Sequence, residues 1–255
     1  MEEDVFSFDN SLYISRVTID RAGGMEDYVS NVPAVAAVMK EGFDFRKRVT
    51  VIMGENGTGK STLLEAIAAA YGFNPEGGTK NFTFSTYSSH SRLYENVHLI
   101  KGWRSPSDGF FFRAESYYNV ASDIERMDGI PASCGKIINA YGGVSLHEQS
   151  HGESFMALAL NRFSGKGLYI LDEPEAALSP SRQMALLVRL RELAEDDSQL
   201  IIATHSVILS AMPDADLIWL SEDGIKRVNY TDTEHYNITK HFIDSPDRMI
   251  KYLTE

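Results

Sequence analysis

The stretch from Gly54 to Ser61 reads Gly54-Glu55-Asn56-Gly57-Thr58-Gly59-Lys60-Ser61, preceded by the β-branched run Val49, Val51, Ile52 and followed by Thr62-Leu63-Leu64-Glu65-Ala66-Ile67-Ala68-Ala69-Ala70. This pattern predicts a strand, a glycine loop and a helix. Three glycines let the backbone curl until successive N–H groups converge on an anion, and the helix adds its own unpaired N–H groups and positive dipole end. The stretch is therefore a phosphate cradle. Lys60 is placed to reach the β and γ phosphates of a nucleotide as a point charge, and the Ser61 hydroxyl to sit on a bridging Mg²⁺.

Composition bounds what surrounds the cradle. The chain has 255 residues, 43% hydrophobic and 24% charged, enough for one large α/β domain or a domain with a sub-lobe. Apolar runs such as Ala66–Ala70 and Leu217–Leu220 fall far short of the ~20 residues that cross a bilayer. The start Met1-Glu2-Glu3-Asp4 is acidic and lacks the basic and apolar regions of a signal peptide, so a cytoplasmic location is expected. The single cysteine, Cys134, agrees with a reducing compartment and reads as a small loop residue. A formal charge of −12 argues against a surface built for nonspecific nucleic-acid binding, which depends on phosphate neutralisation. Basic residues cluster modestly at Arg46-Lys47-Arg48 and at Arg182, Arg189 and Arg191, the second set at the helical spacing of a solvated face.

Ser11–Asp20 alternates apolar and polar residues as a half-buried strand does, and Phe43–Arg48 leads into the strand before the cradle. Tyr13, Arg16 and Phe45 are candidates to stack on adenine, or are packing residues. Beyond the turn-rich Gly72–Lys80, three strands are expected at Asn81–Tyr87, Glu95–Trp103 and Gly109–Glu115, forming an antiparallel subsheet. The last runs from Phe110-Phe111-Phe112 straight into Arg113-Ala114-Glu115-Ser116. It either delivers a polar group to Mg²⁺ or the attacking water, or ends in a surface ion pair.

Asp123–Met127 reads as a short helix, and Ser145–Ser154 precedes a helix over Phe155–Phe163. Ser150 and Gly152, at a helix start, form a second candidate phosphate contact or a plain cap. Gly167-Leu168-Tyr169-Ile170-Leu171-Asp172-Glu173-Pro174 is an apolar strand ending in two carboxylates. Adjacent acids at a buried strand end need a cation or a task. Asp172 suits Mg²⁺, and Glu173 suits polarising a water for attack on the γ phosphate. After Ala177-Leu178-Ser179-Pro180 comes a helix over about Ser181–Ala194, then the strand Gln199–Thr204 with His205 at its end, on the sheet edge where ligands bind in such folds.

In this order the motifs resemble the ATP-binding-cassette class of ATPases across roughly residues 11–225. Gly54–Ser61 looks like its Walker A loop, Ser150-His151-Gly152-Glu153 like its signature, Leu168–Glu173 like Walker B with the catalytic glutamate, Ala177–Pro180 like the D-loop and His205 like the switch histidine. Ser150 precedes Asp172 by 22 residues and His205 follows Glu173 by 32, as that architecture expects. The runs GENGTGKSTLLEAIA, FFRAES, SLHEQSHGESF, LDEPEAALSP and DTEHY are similar to those of small stand-alone bacterial ATPases of this class. Two departures stand out: His151 and Glu153 occupy signature positions usually held by glycine and glutamine, and no glutamine stands at the Q-loop strand end. Glu115 is the substitute there, with Arg113 its rival.

The resemblance implies a single P-loop domain over 1–255: a parallel core (about 11–72 and 164–230), an inserted antiparallel β subsheet and helical signature lobe (about 73–163), and a C-terminal extension (231–255). It implies ATP and Mg²⁺ as ligands, contacted by Glu55, Asn56, Gly57, Thr58, Gly59, Lys60, Ser61 and Thr62, with Ser150 and Gly152 reaching the γ phosphate of a second copy. Ser61, Asp172 and Glu115 would hold the metal, and Glu173, His205 and Lys60 would carry hydrolysis. ATP would glue two copies head to tail. The output would be that of a soluble mechanochemical ATPase acting on an unidentified protein or nucleic acid; the alternatives are the nucleotide-binding subunit of a membrane permease and an ATP-dependent scaffold. The Leu-Ser-Pro ending of the D-loop leans to the first.

Overall fold

The computed structural model describes residues 11–21, 27–80, 92–129, 136–145, 147 and 149–254. The expected strand over 81–87 and Cys134 lie outside them. The chain runs β1 (Ile14–Ile19), α1 (Asp27–Ser30), α2 (Pro33–Glu41), β2 (Phe43–Asp44), β3 (Val49–Gly54), α3 (Lys60–Tyr71), β4 (Val97–Lys101), β5 (Asp108–Arg113) and α4 (Tyr117–Asp128). It continues with α5 (His151–Ala157), extended by a π turn over 158–162, then β6 (Gly167–Asp172), α6 (Pro180–Glu195), β7 (Gln199–Ala203), β8 (Asp216–Ser221), β9 (Gly224–Arg227), α7 (Glu234–Asp244) and α8 (Pro246–Thr254).

Six strands form the core sheet in the order β5-β6-β7-β3-β8-β9, all parallel to their neighbours except β9. Parallel strands covered on both faces are apolar at every position rather than at alternate ones, and the side chains here divide by strand periodicity. Ile52, Phe111, Ile170, Ile201 and Ile218 pack on one face with α2, α3 and β1. Val51, Phe110, Phe112, Leu171 and Ile202 pack on the other with α4, α5 and α6. The small antiparallel sheet, β2-β1-β4, completes the mixed α/β architecture.

One expectation is corrected. The segment over 109–115 does not belong to the antiparallel subsheet: β5 is the edge strand of the core sheet, parallel to β6 in register Phe111↔Ile170 and Arg113↔Asp172. Its three consecutive phenylalanines are each at most 4% exposed, which requires cover on both faces. The small sheet is instead built from β4 and the entry strands β1 and β2. The helix expected at 123–127 is α4, twelve residues long, and the one expected from Phe155 begins at His151.

A buried side chain hydrogen-bonds the two sheets together. Gln199, at the start of β7, accepts from the Tyr13 and Ile14 N–H groups at 2.8 and 2.9 Å and donates to the Ile14 carbonyl at 2.8 Å. No helix among the described residues is long and apolar enough to cross a membrane.

Candidate nucleotide site

Parallel register carries the chemistry to one edge of the sheet. Arg113, Asp172, Ala203 and Ile52 form one row across β5, β6, β7 and β3, so the loops leaving these strands all emerge at the same C-terminal edge. Ligands bind at such edges in open α/β sheets.

From β3 the chain enters the glycine loop with Gly54 at φ 152°, where an added Cβ would stand 2.1 Å from the Leu220 carbonyl oxygen. Gly57 and Gly59 come next at φ 81° and 90°, and Gly59 caps α3. Glu55, Asn56 and Gly57 are exposed, Thr58 is buried with its hydroxyl donating to the Glu55 carbonyl at 2.8 Å, and Thr62 is half-buried. The Lys60 ammonium donates to the Gly54 and Glu55 carbonyls, both at 2.8 Å, which curls the loop around it. Burial pushes its pKa below the ordinary lysine value, against the pull of Glu173, Asp172 and Glu175.

In the first turn of α3, the Ser61 hydroxyl donates to Asp172 Oδ1 at 3.0 Å. Asp172 is 5% exposed, and burial raises its carboxyl to about 6 despite Ser61 and the nearby Arg113 guanidinium. A hydroxyl and a carboxylate of high proton affinity, both oxygen donors, suit a hard cation that keeps most of its water. Glu173, the next residue, has a left-handed backbone at φ 50°, a strained conformation of a kind that clusters at functional sites. Its Oε1 lies 3.9 Å from His205 Nε2. Burial, then the charge of Lys60, depresses the His205 pKa, and Nε2 has no hydrogen-bond partner among the described residues.

Glu115 is not brought to Ser61 and Asp172. β5 ends at Arg113, and the turn over 114–116 leaves the Glu115 side chain 85% exposed, 3.6 Å from Arg113. Its rival Arg113 holds the inner position, with Nη1 2.6 Å from Glu65 and Nε 3.8 Å from Asp172. The candidate adenine stackers are packing residues: Tyr13 and Phe45 are at most 4% exposed, Phe45 lies edge-on to Phe43 at 5.0 Å, and Arg16 is bound to Asp44 and the Glu41 carbonyl.

Ser150 is the N-cap of α5 in a reciprocal capping box: Glu153 N–H donates to its hydroxyl, and its own N–H donates to the Glu153 carboxylate. The Ser150 hydroxyl, which donates to Glu153 Oε2 at 2.7 Å, then the Ser150 N–H and Arg182 at 3.0 Å, hold the Glu153 pKa down at about 2. Gly152 is buried against the turn after β6, where a Cβ would come within 2.4 Å of the Ala177 carbonyl oxygen. Gly152 therefore rests on the turn that carries Glu173, while the side-chain hydrogen bonds of Ser150 stay within the first turn of α5.

Glu175 is a site residue that the motif reading did not single out. Its Oε1 accepts from the N–H groups of His205 and Ser206 at 2.7 and 3.1 Å, tying the turn after β6 to the loop after β7. A third acid within four residues of a strand end was the available signal.

A family model described as "AAA domain, putative AbiEii toxin, Type IV TA system" matches residues 138–211, and one described as "AAA domain" matches residues 39–115. A ribose import ATP-binding protein of Streptomyces avermitilis is 27% identical over 194 residues, covering 68% of this chain and 35% of its own. A hemin import ATP-binding protein of Rhodopseudomonas palustris is 29% identical over 176 residues, covering 63% of this chain and 66% of its own. The chain thus spans between about a third and two thirds of the length of these relatives. A dimeric post-hydrolysis state of the ATP-binding cassette MJ0796 bound to ADP and Pi is similar at a TM-score of 0.46 and 16% identity, covering 74% of this chain and 88% of that one.

Proposed function

We propose that the chain is a P-loop ATPase of the ATP-binding-cassette class, as its similarity to ATP-binding proteins of that class supports, and that it binds Mg-ATP in the Gly54–Ser61 loop and hydrolyses it to ADP and phosphate. The observation that carries this reading is the Ser61–Asp172 contact at 3.0 Å beside a buried Lys60, with Glu173 and His205 3.9 Å apart next to it. Backbone N–H groups of residues 55–62 cradle the phosphates, and Lys60 exchanges its two carbonyl partners for phosphate oxygens. Ser61 and Asp172 would hold Mg²⁺, which would supply positive charge to offset that of the phosphates. Glu173, half exposed, orients the attacking water and accepts its proton, while neutral His205 contacts the γ phosphate.

Ser150 and Gly152 complete the site of a second copy in a head-to-tail dimer. Ser150 is exposed and its hydrogen bonds stay within α5, so it meets a γ phosphate only across an interface. The chain works in the cytoplasm and passes the cycle of dimer closure and opening to a protein or nucleic-acid partner. The names of the relatives favour a second reading, service to a membrane permease. Copurification with a nonhydrolysable ATP analogue separates the two by what is retained.

Glu173→Gln keeps size and hydrogen bonding but removes the base. Turnover should fall about a hundredfold or more, and the variant should elute as an ATP-dependent dimer by light scattering. Adding Ser150→Arg should abolish that dimer, since a bulky cation enters the contact. A Glu173→Gln protein that hydrolyses ATP at the parental rate would overturn the role of Glu173, and one that stays monomeric at saturating ATP would overturn the dimer.

A further inference from the structure

His205 is fixed at its backbone by Glu175, but its imidazole has no hydrogen bond among the described residues and lies 3.9 Å from Glu173, too far for one. The ring packed against it comes from the C-terminal extension. The His235 ring, in the first turn of α7, stands 5.6 Å from the His205 ring at an interplanar angle of 65°, an edge-to-face contact. On its other side His235 meets Trp219 of β8, with centroids 5.4 Å apart. Rings thus run without a break from β8 through α7 to the hydrolytic edge of the site.

The surrounding chain is built to hold His235 there. Buried Thr233 caps α7, its hydroxyl accepting from Tyr236 N–H and donating to the Tyr230 carbonyl at 2.8 Å. Tyr230 donates its hydroxyl to the Val207 carbonyl at 3.0 Å, two residues beyond His205, and its ring packs on Tyr236 at 4.7 Å. Residues 230–236 are therefore pinned to the loop that carries His205 independently of the ring contact. His235 Nδ1 is buried without a hydrogen-bond partner among the described residues, so no polar bond of that atom explains its place.

We propose that His235 is a positioning residue for His205: its ring fixes the His205 imidazole toward Glu173 and the γ phosphate, making α7 part of the hydrolytic apparatus. This rests on the reading of the chain as an ATPase. A change in the docking of α7 would then alter turnover without touching the phosphate loop, because the hydrogen bonds of Lys60, Ser61 and Asp172 among the described residues do not involve α7.

The test is a double-mutant cycle on the full chain, with steady-state ATP hydrolysis, ATP affinity by calorimetry and melting curves for each variant. His235→Ala should lower kcat roughly tenfold, as expected for loss of an aromatic contact that orients a reacting group, and leave ATP affinity within about twofold. His235→Gln, which fills space without a ring, should repeat the loss and stands in should His235→Ala fail to fold. His235→Phe, which keeps the edge-to-face contact, should restore most of the rate. In a His205→Ala background, His235→Ala should change kcat no further. A folded ringless variant that turns over at the parental rate, or the same fold-loss in both backgrounds, overturns the proposal. If His205→Ala itself leaves kcat unchanged, the hydrolytic reading of the site fails and this inference with it; if only the His235 variants are silent, the inference fails alone.

Discussion

Replacing Asp172 with Asn should stabilise the nucleotide-free protein while removing its response to Mg-ATP. In the fold this carboxyl is 5% exposed and raised from its ordinary 3.8 to about 6 by burial, even after the Ser61 hydrogen bond and Arg113 have been counted. At about 1.4 kcal/mol for each pH unit, holding the ionised form at pH 7.5 costs the folded state about 3 kcal/mol. A folded state that keeps its proton where the unfolded chain has lost it becomes less stable as pH rises through that window. Wild type should therefore lose stability relative to Asp172→Asn between about pH 4 and pH 6, and the gap should stay level above. Asparagine is close in shape to the protonated acid and can still accept from Ser61, so the variant should be up to about 3 kcal/mol more stable at pH 7.5, or roughly 6–12 °C in melting temperature for a chain of this size. Urea titrations from pH 4 to pH 8, with and without Mg-ATP, measure both arms: wild type should be stabilised by ligand through mass action, and the variant much less. An Asp172→Asn protein less stable than wild type at pH 7.5, or a gap that narrows as pH rises, would refute the argument that Asp172 is a desolvated carboxylate waiting for a cation.

Geometry sets three further outcomes. Lys60→Ala should weaken ATP binding by at least about a hundredfold in calorimetry, because the phosphates lose their principal buried cation; an unchanged affinity would exclude the Gly54–Ser61 loop as the phosphate site. Gly54→Ala should cost about 3 kcal/mol or more in urea unfolding, since its Cβ would stand 2.1 Å from a backbone oxygen at φ 152°; a loss under about 1 kcal/mol would mean the loop reshapes freely. Glu173→Gln with and without Ser150→Arg tests base and interface separately: the first should slow turnover and trap the dimer, and the second should release it.

The loop, its strand and its helix were legible because glycine spacing and an apolar run are local codes: Val49–Gly54 and Lys60–Tyr71 form where the residues around Gly54–Ser61 demand. The strand ends at Asp172 and near His205 were legible for the same reason. Strand neighbours were not, since pairing joins residues distant in sequence, and β5 was set beside the wrong partners although Phe110–Phe112 signalled burial on both faces. Glu115 was ranked ahead of Arg113 with the strand expected to run to Glu115, but β5 stops at Arg113 and leaves Glu115 on the turn beyond it. Glu175 was not singled out, and His235 had no local mark at all, because its meaning lies in rings brought from positions 205 and 219.

Gln199 has a consequence for how the fold is addressed rather than how strongly it is held. Apolar packing between the small sheet and the core has no direction and tolerates sliding. The amide of Gln199 meets two N–H groups and one carbonyl of Tyr13 and Ile14, and only one alignment satisfies all three. A slip by one residue would strand buried donors at about 1–3 kcal/mol each and turn the apolar side of β1 outward. Glutamate could not serve, since it accepts but cannot donate to Ile14 and would bury a charge. One side chain thus acts as the index mark by which two separately laddered sheets find a single alignment.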